Sequence, residues 1–73
     1  MNNKDWKEQH SESSGAEMVN LLMDEVEEMM RARYYANGNP NGCLVDYWMD
    51  EEIHHVERVL WLRDMLYKKL EGN

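Results

Sequence analysis

The sequence predicts an all-α fold: an antiparallel two-helix hairpin that pairs with a second copy to form a four-helix bundle. Three observations carry this. Apolar residues recur every three or four positions over two long stretches, which is the spacing of one helix face. A run rich in turn formers, Ala36-Asn37-Gly38-Asn39-Pro40-Asn41-Gly42, separates the two stretches. The chain has 73 residues, one small domain at most, and two amphipathic helices cannot enclose a core alone. No segment alternates as a half-buried strand would.

In chain order, residues 1–13 read as a flexible polar leader with an isolated Trp6. The helical domain then covers 14–73. Ser14-Gly15-Ala16-Glu17 has the form of a capping box and opens the first helix. That helix is expected over about 14–36, with Met18, Val19, Leu22, Met23, Val26, Met29 and Met30 on its apolar face. The turn occupies 37–42. The second helix is expected over about 43–71, roughly 43 Å long at 1.5 Å per residue. Lys68 and Lys69 in its last turn complement the helix dipole, and Gly72 is placed as its C-cap. Tyr47, Trp61 and Met65 fall on the back of this helix. They are either scattered surface residues or a second interface, which would imply an assembly larger than a dimer.

Composition narrows the function classes. A core of this size supplies only about 3–5 kcal/mol, so a disulfide, a metal or a partner subunit is expected. Cys43 is the single cysteine, which leaves metal or oligomerisation. A lone cysteine also fits a reducing, cytoplasmic setting. The formal net charge of −7 argues against unaided nucleic-acid binding, which needs clustered Lys and Arg. The polar first thirteen residues do not read as a signal peptide. No apolar run approaches the roughly 20 residues of a membrane span, so no membrane partner is expected.

The second helix carries its most informative residues inside its apolar stripe. That stripe reads Val45, Trp48, Glu52, His55, Val59, Leu62 and Leu66. Glu52 and His55 stand where a soluble helix would place Leu or Val. A buried carboxylate is costly unless a cation or hydrogen bond compensates it. On a wheel of about 100° per residue, Glu52 and His55 point inward. Glu51, His54, Glu57 and Arg58 fall outside the apolar arc. On the first helix, Asp24, Glu27 and Glu28 face away. Glu25 falls inside, among Met18, Leu21, Met29 and Ala32.

One hairpin therefore offers Glu25, Glu52 and His55, and two copies offer four Glu and two His. That is the ligand count of a di-iron bundle site: one Glu from each of two helices and Glu-x-x-His from each of the other two. Mixed carboxylate and imidazole donors suit iron or manganese, with zinc also able to bind. His54 and His55 cannot share one ion, because helix neighbours point about 100° apart. An ion pair is the competing explanation. Arg33 and Arg63 both lie near the apolar arcs, and either could neutralise Glu52 with no metal. The methionines read as core filling.

Asp50-Glu51-Glu52-Ile53-His54-His55, followed by Leu60-Trp61-Leu62-Arg63, resembles the second helix of the encapsulated ferritins. Met23-Asp24-Glu25-Val26-Glu27 resembles the acidic segment of their first helix. The resemblance spans about residues 18–66. It implies a ferritin-like four-helix bundle and a ferroxidase whose di-iron site is shared between two chains. It also implies a ring of dimers, at least a homodimer, housed in an encapsulin shell in the cytoplasm for iron storage or detoxification. Carried over by position, the iron ligands are Glu25, Glu52 and His55, and Asp24 and Glu27 match acidic positions that attract incoming iron. This chain departs from the family in its shorter, Asn- and Gly-rich turn and in His54, where an acidic residue is usual. Its final residues, Leu70-Glu71-Gly72-Asn73, do not resemble a shell-targeting peptide.

Two other readings follow from the same residues. Glu25-x-x-Glu28 and Glu52-x-x-His55 also look like the acidic motifs of MazG-like nucleotide pyrophosphohydrolases. That family usually has Asp where His55 stands, and magnesium prefers oxygen ligands. The last reading is a non-enzymatic acidic helical protein that presents carboxylates to a basic partner as an interaction or inhibitor protein.

Overall fold

The computed structural model describes residues 3–38 and 44–72. These residues are all-helical, with α1 at Asn3–His10, α2 at Gly15–Gly38 and α3 at Val45–Glu71. No helix among them is long and apolar enough to cross a membrane.

α2 begins where the capping box places it. The Ser14 Oγ accepts a hydrogen bond from the Glu17 N–H at 3.2 Å, and the Met18 N–H bonds the Ser14 carbonyl at 2.9 Å. The helix runs to Gly38, two residues beyond the expected end. The strongest stop signal nearby is Pro40, which disfavours helical backbone in the residue before it. Nothing there obliges Asn37 or Gly38 to leave the helix. The rest of the expected turn, 39–42, and Cys43 lie outside the described residues.

α3 starts after Leu44 without a side-chain cap and ends at Gly72. The Gly72 N–H bonds the Lys68 carbonyl at 2.8 Å. Gly72 has φ of −74°, so it caps in right-handed backbone. Its lack of a side chain matters for another reason: a Cβ there would sit 2.9 Å from the Lys68 carbonyl oxygen.

α2 and α3 pack side by side along the stripes that periodicity identifies. Among the described residues Met18, Ala32 and Leu62 are the buried apolar ones, and Val45, Trp48, Val59 and Leu66 are half-buried along the same face. Cross-helix contacts run in opposite numerical directions. Glu25 meets His55, Arg33 meets Glu52, and Tyr35 stacks on Trp48 with ring centroids 4.8 Å apart. The molecule measures 50 × 19 × 15 Å. Its thinnest dimension is little more than one helix diameter of about 10–12 Å. Large apolar residues accordingly remain exposed, among them Met23, Met30 and Ile53, the last at 63%.

The N-terminal segment differs from the expected flexible leader. Residues 3–10 form α1, which docks on α3. Its docking is polar and aromatic, which is why an apolar pattern does not reveal it. Asn3 is 4% exposed. Its Nδ2 donates to the His54 carbonyl at 3.0 Å and to Glu57 at 3.3 Å, and its Oδ1 accepts from Arg58 Nε at 2.8 Å. Trp6 packs edge-on against Trp61, with centroids 5.6 Å apart. Lys7 pairs with Glu57 at 2.9 Å. The Lys7 hydrogen bond, then that from Asn3, holds the Glu57 carboxyl below its usual range. Trp61, on the back of α3, is therefore partly covered by the chain's own N-terminal helix.

Candidate metal centre

The three candidate ligands occupy the face between α2 and α3. Glu25 is 8% exposed, although it is charged and lies mid-helix. It stands one and two turns after Leu21 and Met18 and one and two turns before Met29 and Ala32, so helical geometry carries it into the packed face with them. His55 reaches across from α3. Its Nδ1 lies 2.6 Å from Glu25 Oε1, a short hydrogen bond between two largely buried side chains. With Glu25 as carboxylate, which only accepts, the His55 Nδ1 is the donor. The other ring nitrogen, Nε2, faces Glu51 Oε2 at 3.7 Å. His55 thus stands between two carboxylates, one from each helix.

Glu52 lies one turn before His55 and is half-buried. Its Oε1 is 3.5 Å from Arg33 Nε on α2. Of the two arginines that could neutralise it, Arg33 does so, whereas Arg63 turns to its neighbour Asp64 at 3.4 Å. Arg33 is well exposed, so the pair adds little stability.

Two residues that the helix wheel places outside the arc belong to this cluster. Arg58 is buried rather than outward, because α1 covers its face of α3. Its NH1 lies 3.5 Å from Glu25 Oε1, the same oxygen that His55 approaches. Its guanidinium sits over the Trp6 ring, 4.8 Å from the centroid. Glu51 is half-buried and reaches His55 because side chains four apart on a helix are neighbours. A wheel records where a Cβ points, not how far a long side chain bends back.

His54 keeps to the other side of α3. Its Nε2 faces Asp50 at 3.5 Å, and its buried Nδ1 makes no hydrogen bond among the described residues. The two acidic positions proposed for cation entry are both exposed. Glu27 pairs loosely with Arg31 at 3.8 Å. Asp24 lines an open cleft of about 240 Å³ with His10, Glu17 and Asn20.

The donor chemistry fits iron: two carboxylates and an imidazole on facing helices. Adjacent ligands at about 2.1 Å from a tetrahedral ion stand about 3.4 Å apart. An ion between Glu25 Oε1 and His55 Nδ1 would have to replace the Nδ1 proton and widen the 2.6 Å contact. Within a single chain, no group of three His, Cys, Asp or Glu among the described residues is gathered closely enough to hold a metal.

Compared with protein-family models, curated proteins and solved structures, the chain matches none in any of the three comparisons.

Proposed function

We propose that the chain is an antiparallel helical hairpin, and that two copies associate into a ferritin-like four-helix bundle that oxidises Fe(II) to Fe(III). The observation that carries this reading is the buried Glu25–His55 contact across α2 and α3, with Glu52 one turn away on the same face. A sequence designed only to pack would place apolar residues at all three positions. The opposite numerical order of the α2–α3 contacts supports the hairpin. The thin cross-section and exposed Met23, Met30 and Ile53 support association with a second copy.

Fe(II) is the substrate in this reading. His55 supplies a nitrogen, and Glu25 and Glu52 supply oxygens. Two iron(II) ions each give up one electron, and dioxygen takes up both electrons with two protons and leaves as hydrogen peroxide. Carboxylate donors favour the oxidation because they stabilise Fe(III) more than Fe(II). The packed helices hold the donors in place before iron arrives, so little ordering is needed on binding.

A second reading has its own observation. Arg58 stands beside Glu25 and Arg33 beside Glu52, so each inward carboxylate has a cation within its own chain. The protein would then be a non-enzymatic helical interaction protein, and both glutamates would be replaceable by leucine without loss of function.

Aerobic iron(II) oxidation in buffer separates the two. The ferroxidase reading expects acceleration by the native chain and a fall to the uncatalysed rate with Glu52→Ala. Equal rates for the two proteins would contradict it.

A further inference from the structure

α1 touches α3 through a small set of side chains, and two of them, Asn3 and Trp6, meet on Arg58. Asn3 Oδ1 accepts the Arg58 Nε–H at 2.8 Å, in a contact buried from solvent. The Trp6 ring lies under the guanidinium at 4.8 Å. Asn3 and Lys7 both hold Glu57, the residue before Arg58. Arg58 in turn places NH1 3.5 Å from Glu25 Oε1. The N-terminal helix is thereby joined to the most buried carboxylate of the cluster through one cationic side chain.

We propose that α1 and Arg58 form a displaceable internal counter-ion: docked α1 holds the guanidinium against Glu25, and a metal cation arriving at Glu25 and His55 displaces both. The inference rests on the metal-binding reading of Glu25 and His55. The reasoning is electrostatic. Glu25 is largely buried, and in the absence of metal it is compensated by the His55 hydrogen bond and the Arg58 charge. A divalent cation bound to the same oxygen repels the guanidinium across a short distance in a poorly screened site. Arg58 must then move away from Glu25. Its Nε and ring contacts belong to Asn3 and Trp6, so moving it weakens what holds α1.

Metal binding and α1 docking therefore oppose one another, and the coupling is reciprocal. Loosening α1 tightens metal binding, and metal loosens α1. Arg58 acts here as a positioning residue. It keeps Glu25 in place while the site is empty of cation, which spares the bundle an uncompensated buried carboxylate.

The test combines two readouts. Anaerobic Fe(II) is titrated calorimetrically into the native chain, Asn3→Ala, Arg58→Gln and Arg58→Lys. Hydrogen exchange of residues 3–10 is followed with and without Fe(II). The expected result is tighter Fe(II) binding by about fivefold or more in Asn3→Ala and Arg58→Gln, with Arg58→Lys returning toward the native affinity. Fe(II) should also speed exchange across α1 of the native chain. Fe(II) binding with equal affinity in all four proteins and unchanged α1 exchange would overturn the counter-ion proposal alone. Absence of Fe(II) binding in every protein would overturn both this proposal and the metal-site reading beneath it.

Discussion

Replacing Glu25 and Arg58 together by leucine is expected to leave the helices folded while iron(II) oxidation falls to the uncatalysed rate. The single change Glu25→Leu should behave differently. It removes the carboxylate that faces both Arg58 and His55, so a largely buried guanidinium loses its nearest described carboxylate. Orphaning one member of a buried pair costs about 3–5 kcal/mol. The Asn3 and Trp6 contacts that remain place the expected loss near the lower end. That approaches the whole stability of a core this small, about 3–5 kcal/mol. Converting both partners to apolar side chains of similar volume is commonly neutral or stabilising. The double variant should therefore recover most of the urea midpoint that the single variant loses. On the ferroxidase reading oxidation should be absent from both, because each lacks the proposed Glu25 oxygen donor. Stability and activity are thus separated in one pair of proteins. Full oxidation by the double variant would remove Glu25 from the site.

The largest purely structural effect is expected at Leu62. Its side chain is fully buried, and it is one of three apolar residues among the described ones that are buried, with Met18 and Ala32. Leu to Ala at such a site costs about 2–5 kcal/mol through lost transfer energy and the cavity left behind. With so few buried neighbours to relax into the space, Leu62→Ala should cost about 3 kcal/mol. A urea titration followed by far-ultraviolet circular dichroism is expected to show a marginally stable chain, its midpoint moved most of the way toward zero denaturant. By contrast, Ile53→Ala removes an exposed side chain from the single chain. If Ile53 lies in a contact between copies, its truncation should lower the association constant and leave helicity at high protein concentration intact.

The inward placement of Glu25 was legible because Met18, Leu21, Met29 and Ala32 surround it at helical spacing, and those residues are buried or half-buried as a group. The same periodicity aligned Glu52 and His55 with Val45, Val59 and Leu62. What escaped is physically coherent. α1 carries one large apolar residue, Trp6, and docks through Asn3, Lys7 and the Trp6 ring. A pattern of apolar periodicity has nothing to register there. A signal was nonetheless present: Trp6 in an otherwise polar segment, and Trp61 on a helix face with no stated partner. Arg58 then followed α1. Without a covering helix its face of α3 would be solvated, and the wheel, which knew nothing of α1, placed outside a side chain that is buried and reaches Glu25 on α2. The arginine for Glu52 was narrowed to two by sequence, and chain geometry selects Arg33 over Arg63.

These observations join in one claim: a chain that holds part of a coordination sphere completes it with a second copy around iron. The most direct test is native mass measurement of the purified protein under anaerobic conditions, with and without Fe(II), together with the iron content of each species. The account predicts assemblies containing an even number of chains, with about one iron per chain, and greater abundance of these assemblies when Fe(II) is present, since binding energy couples to association. A mass that is the same with and without Fe(II), in a protein that retains no iron, would contradict it and leave Glu25 and Glu52 as the arginine-paired residues of an interaction protein.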